Sequence, residues 1–173
     1  DRFGKPRRTI VHGQSWGGNV AAKVSELYAV DGNGQRNYDG VLLSAGLVAG
    51  GTRGYVFRSD LRAVYQFYCR NHPRPDEVQY PVWQGLPADA RMTRAQLTER
   101  VEACTGVSKP ADQRTPQQAR NLSNILSVIG IREDELVSHL NWATGLFQDM
   151  VQRRLDGHNP FSKIGTRSEE HTS

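Results

Sequence analysis

Apolar positions along the chain change period once. Thr9-Ile10-Val11-His12 is a short β-branched run, and Val20, Val24 and Leu27 then recur at helical spacing. Asp31-Gly32-Asn33-Gly34 supplies a turn, and Val41-Leu42-Leu43 follows as a continuous apolar run between Gly40 and Ser44-Ala45-Gly46. Two short apolar strands joined by a helix in about 35 residues predict a βαβ crossover, hence a parallel sheet covered on both faces. Two strands do not make a whole sheet, so further strands are expected before residue 1 or after residue 166.

Beyond Leu47 the pattern turns helical. Ser59 reads as the cap of a helix carrying Leu61, Val64, Tyr65 and Tyr68. Thr93 with Gln96 predicts a capping box for a helix through Leu97 and Val101, stopped at Gly106. Thr115-Pro116 with Gln118 opens another, with Ala119, Leu122, Ile125, Leu126 and Ile129 on one face. The longest pattern runs through Leu136, Leu140, Ala143, Leu146, Phe147, Met150 and Val151 and ends near Gly157. Asn71–Pro75 and Tyr80-Pro81 form an irregular, proline-stiffened stretch, and no strand pattern lies between 52 and 166. The expected organisation is a partial α/β core over residues 1–48 and a mostly helical insertion over 49–166.

Composition narrows the function classes. The 173 residues carry a formal charge of +4 and a pI near 9.3. Arg2, Lys5, Arg7 and Arg8 cluster, but the other basic residues are mixed with acids and no aromatic-basic RNA-binding motif occurs. A solvated basic surface follows, with no nucleic-acid partner. No apolar run reaches the length of a membrane span. Two cysteines and dispersed histidines give no metal-ligand spacing, and no cofactor is expected. Gly50-Gly51-Thr52-Arg53-Gly54 lacks the lysine and spacing of a phosphate loop and reads as a hinge into the insertion. The chain opens on Asp1 without an initiator methionine. Residues 167–173 resemble the in-frame translation of a common DNA-sequencing adapter and are read as an artefactual tail. Setting that tail aside removes one Arg and two Glu and raises the formal charge to +5.

The candidate chemistry sits at Gly13-Gln14-Ser15-Trp16-Gly17, followed by Gly18. At the average glycine usage of proteins, about 7%, such a G-x-S-x-G arises by chance in roughly one chain in twenty of this length. Context makes it informative: a strand pattern enters and a small-residue helical pattern leaves, as a nucleophile elbow requires. The turn strains Ser15 and lifts its hydroxyl above the sheet. Gly13 and Gly17 are expected where a Cβ would clash with neighbouring backbone, and Gly18 where the helix packs close to the sheet. The Trp16 N–H is then aimed where an oxyanion would develop. The alternative is an ordinary turn serine. The Trp16 indole either lines a pocket or covers the helix start.

With elbow, crossover and helical insertion in this order, the chain resembles the α/β-hydrolase superfamily. Within it, the chain is similar to a group of bacterial serine hydrolases, often with secretion signals. The matching segments are Asp39–Gly46, Asp60–Cys69, Cys104–Val107, Arg114–Gln118 and His139–Ala143, and the likeness covers nearly all of residues 7 to 165. The resemblance implies a partial α/β-hydrolase fold with the helical insertion as a cap. It further implies a serine hydrolase acting on a small-molecule ester, less readily an amide or peptide-like substrate, through an acyl-enzyme on Ser15. In the family the serine is followed by an acid and then a histidine, and the second oxyanion donor comes from an earlier loop. Both are expected outside this chain. Acyl transfer to an acceptor other than water, and a non-catalytic binding protein on the same fold, are the alternatives.

The visible histidines do not read as the missing base. His139 falls inside the longest helical pattern, His158 sits in a Gly157–Pro160 turn, His12 packs at a strand end, and His72 lies among prolines. Asp112 and Asp134 precede two of them without forming a recognisable arrangement. Cys69 and Cys104 are the only cysteines, each near the end of a predicted helix, and are expected to form a disulfide. The bond needs an oxidising compartment, in keeping with the secretion signals of the resembling group. Two buried free thiols are the alternative.

Overall fold

In a computed structural model, residue 4, residues 6–48 and residues 51–160 are described. The polypeptide divides into two units, Asp1–Tyr55 and Val56–Ser173. Among the described residues it is an α/β protein with two parallel strands and five helices, mostly helical. The artefactual tail expected at 167–173 lies outside the described residues.

The first unit is a single crossover. Strand β1 (Ile10–Gln14) leads into helix α1 (Trp16–Tyr28), which returns the chain to strand β2 (Gly40–Ser44). The strands are parallel, with Ile10 beside Gly40 and Gln14 beside Ser44. The Asp39 carboxylate accepts the Thr9 N–H at 2.7 Å and the Asp39 N–H donates to the Thr9 carbonyl at 2.7 Å, fixing the strand register at its start. The Tyr38 hydroxyl donates to the Val24 carbonyl, tying the return segment to α1. Only the small residues Gly18 and Ala21 of α1 are buried. Ile10, Val20, Val41 and Leu42 are 41 to 60% exposed. Parallel sheets are ordinarily covered on both faces, so this amount of open apolar surface is unusual for the type.

The second unit is helical. It holds residues 56–69 of α2 (Gly51–Cys69) together with α3 (Arg94–Thr105), α4 (Pro116–Ile129) and α5 (Leu136–Asp149). Leu61 and Tyr65 of α2, Leu97 and Val101 of α3, Leu122 and Ile125 of α4, and Leu136 and Leu140 of α5 form its core. Each helix supplies a pair three or four residues apart, the spacing that puts two side chains on one face. Both capping boxes are formed: Thr93 Oγ1 accepts from the Gln96 N–H, and Thr115 Oγ1 from the Gln118 N–H, each at 3.2 Å. Gly106 and Gly130 end α3 and α4 in the left-handed conformation, at φ 57° and 74°. A π-helical turn, Met150–Arg154, prolongs α5. Cys69, the last residue of α2, is disulfide-bonded to Cys104 in the last turn of α3, with Cα atoms 5.5 Å apart.

Two expectations fail at α2. Ser59 does not cap it, because the helix already runs from Gly51 and Ser59 lies two turns inside. Residues 51–54 are helical and not a hinge; Gly50 lies outside the described residues. A glycine inside a helix costs about 1 kcal/mol relative to alanine, which the continuous run from Tyr55 to Cys69 outweighs. The boundary between the two units falls inside this helix, after Tyr55.

Candidate active site

The residues from Gly13 to Gly18 form a sharp turn between β1 and α1. Ser15 has φ 54° and ψ −120°, one of four described non-glycine residues at positive φ. A non-glycine residue there stores about 1–3 kcal/mol and persists only where its surroundings over-determine it. The surroundings are backbone. The Ser15 N–H donates to the Ser44 carbonyl at the end of β2, 3.0 Å away, and the Ser15 carbonyl accepts the Gly18 N–H at 2.9 Å. The Leu47 N–H reaches the same carbonyl at 3.4 Å.

Two glycines make this turn sterically feasible. A Cβ on Gly13 would lie 2.0 Å from the Gly17 carbonyl oxygen, and one on Gly18 would lie 2.5 Å from the Cα of Gly46. Gly13 thus admits the turn, and Gly18 lets α1 approach the segment leaving β2. Gly17 departs from expectation. Nothing lies within 4 Å of a Cβ built there, whereas the Cβ direction of Gly13 runs into the backbone of Gly17 and Gly18. No steric clash requires glycine at that position.

The turn leaves the reactive groups open. Ser15 stands at the N-cap of α1, yet its side chain makes no capping hydrogen bond. An N-cap serine ordinarily spends its hydroxyl on the N–H two or three residues later. At φ 54° the Ser15 side chain is turned out of that geometry, and the residue is exposed. The Trp16 N–H is the first of the donors that a helix cannot satisfy internally, and no backbone acceptor takes it among the described residues. An exposed hydroxyl therefore adjoins an unused amide N–H at a helix N-terminus, where the dipole favours negative charge. Gln14 is exposed on the approach, paired in register with Ser44. The Trp16 ring is 51% exposed, with its centroid 6.3 Å from that of Tyr55.

No histidine hydrogen-bonds Ser15 among the described residues. His12, one strand position from the turn, pairs its Nε2 with Ser44 Oγ at 3.0 Å. His139 lies on α5 with its ring edge-on to Phe57, and partial burial lowers its pKa. His158 closes a turn onto the Leu155 carbonyl. His72 is fully buried, with Nε2 on Thr144 Oγ1 at 2.8 Å and Nδ1 3.3 Å from the Tyr80 hydroxyl. Burial, aided by the Arg62 and Arg100 charges, pushes its pKa down to about 2. His72 is thus a neutral structural group. Asp134 is an exposed partner of Arg132, and Asp112 lies in a single 3₁₀ turn. No group of three or more His, Cys, Asp or Glu side chains is placed to hold a metal ion among the described residues. No described helix is long and apolar enough to cross a membrane.

Sequence reasoning missed the second wall of the turn. Ser44, Ala45 and Gly46 read only as the end of a strand, whereas Ser44 anchors Ser15, Ala45 adopts φ 46° and Gly46 receives Gly18. The small-residue triplet was the available signal. Compared with protein-family models, curated proteins and solved structures, the chain matches none.

Proposed function

We propose that this chain carries the nucleophile elbow of an α/β-hydrolase-type serine hydrolase, acting on a small-molecule carboxylic ester. The observation that carries the reading is Ser15 at φ 54°, held there by backbone on both sides, with its hydroxyl excluded from capping duty. Strain of this kind at a serine, between a parallel strand and a helix, serves to present a side chain.

Ser15 Oγ attacks the ester carbonyl carbon and its proton passes to a histidine, itself oriented by an acid. The carbonyl oxygen, now anionic, accepts the Trp16 N–H, a donor fixed before the reaction starts. Collapse of the tetrahedral intermediate expels the alcohol, which takes the proton from the histidine. Water then attacks the acyl-Ser15 ester by the same route in reverse and frees the carboxylic acid. The open apolar faces around Ile10, Val41 and Leu42 support the accompanying fold reading, a larger sheet in which further strands and helices cover this crossover.

Replacing Ser15 by Ala in the intact protein tests the proposal. Ester turnover is expected to fall by several orders of magnitude with the circular dichroism spectrum unchanged. Turnover within a few-fold of wild type in a folded Ser15→Ala protein would overturn it.

A further inference from the structure

The residue after Ser15 is a tryptophan, and its surroundings are unusual. Gly51 opens α2 directly against the far edge of the indole: a Cβ there would lie 2.2 Å from the Trp16 Cη2 and 2.9 Å from Cζ3. One helical turn later, on the same face of α2, the Tyr55 ring lies 6.3 Å from Trp16, centroid to centroid, tilted by 40°. The indole is therefore pinned between a bare backbone and a second ring, yet half of its surface stays open. Val48, also on the segment leaving β2, is 62% exposed. Arg53, between Gly51 and Tyr55 in sequence, lies off their shared face, because residues two apart on a helix do not face together.

Resting on the hydrolase reading of Ser15, we infer that Trp16 and Tyr55 form the acyl-binding wall and that the acyl group it selects is an aromatic ring. Two tilted rings offer an aromatic acyl group offset and edge-to-face contacts that a straight alkyl chain cannot make. Gly51 is the specificity-determining position behind the rings: it has no side chain, so α2 can approach close enough to hold the indole in place.

The test compares 4-nitrophenyl benzoate with 4-nitrophenyl butyrate, which share a leaving group, in the intact protein. The readout is the ratio of their kcat/KM values, each divided by the ester's rate of alkaline hydrolysis. The wild-type ratio is expected to favour benzoate. Trp16→Leu and Tyr55→Leu should each lower it by roughly three- to tenfold, the worth of one aromatic pair, while Tyr55→Phe keeps it. Gly51→Ala should lower it similarly by displacing the indole. A ratio unchanged in both leucine variants overturns the inference. Ser15 labelling by a fluorophosphonate, run on the same wild-type sample, separates the two claims. Labelling with an unchanged ratio removes the acyl wall alone, and absence of labelling removes the hydrolase reading together with it.

Discussion

Replacing Cys69 and Cys104 by serine opens the cross-link between the ends of α2 and α3. The two residues are 35 apart in sequence. In the chain-entropy model a closed loop of that length contributes about 3.8 kcal/mol by restricting the unfolded chain. Little native packing is lost, since both cysteines are only half-buried. Asn121 Nδ2, which donates to the Cys104 carbonyl at 3.2 Å and contacts Sγ at 3.3 Å, keeps an acceptor in serine. A helical unit of slightly over one hundred residues shifts its melting temperature by about 4 °C per kcal/mol, so the double variant should melt about 15 °C below the oxidised wild type. Thermal unfolding followed by far-UV circular dichroism reads this, because the second unit supplies most of the helix. Wild type with reductant should fall to the value of the variant. A melting temperature within about 3 °C of oxidised wild type would refute the entropic reasoning. Two reactive thiols in denatured, unreduced wild type would refute the bond itself.

The glycines of the turn should respond unequally. Gly13→Ala and Gly18→Ala drive a Cβ into backbone at 2.0 and 2.5 Å, and each should lower stability by about 1–3 kcal/mol or more and disorder the Ser15 turn. Gly17→Ala, with open space around it in the first turn of α1, should stabilise by about 0.5–1 kcal/mol. Urea unfolding of the three variants checks the order, and a destabilised Gly17→Ala would contradict it. His72 predicts a pH dependence. Its folded pKa is near 2 and its ordinary value 6.5, so between those limits the unfolded chain holds one more proton. The contribution is complete above pH 6.5 and lost as pH falls, at about 1.4 kcal/mol per pH unit. Stability measured between pH 6.5 and 4.5 should show this slope in wild type and lose it in His72→Asn.

What the sequence made legible was whatever a local rule determines. The capping boxes at Thr93 and Thr115, the stop at Gly106 and the parallel strand pair each depend on residues within a turn or two, or on one apolar run. Ser59 was misread because a cap-capable residue says nothing of whether helix already precedes it. The error at Gly17 is three-dimensional. Gly13 and Gly17 look equivalent in a motif, but only the direction of each missing Cβ shows that one faces backbone and the other open space. The roles of Ser44, Gly46, Gly51 and Tyr55 depend on contacts between segments far apart in sequence, which no periodicity encodes.

The central claim is that Ser15 is an activated nucleophile, and covalent labelling tests it most directly. The intact protein is incubated with a fluorophosphonate, digested, and the modified residue located by mass spectrometry. The account predicts a single stoichiometric adduct on the peptide containing Ser15, absent after denaturation and absent in Ser15→Ala. An intact, folded protein with no adduct on Ser15, or with the same adduct on other serines in proportion to their exposure, would contradict it.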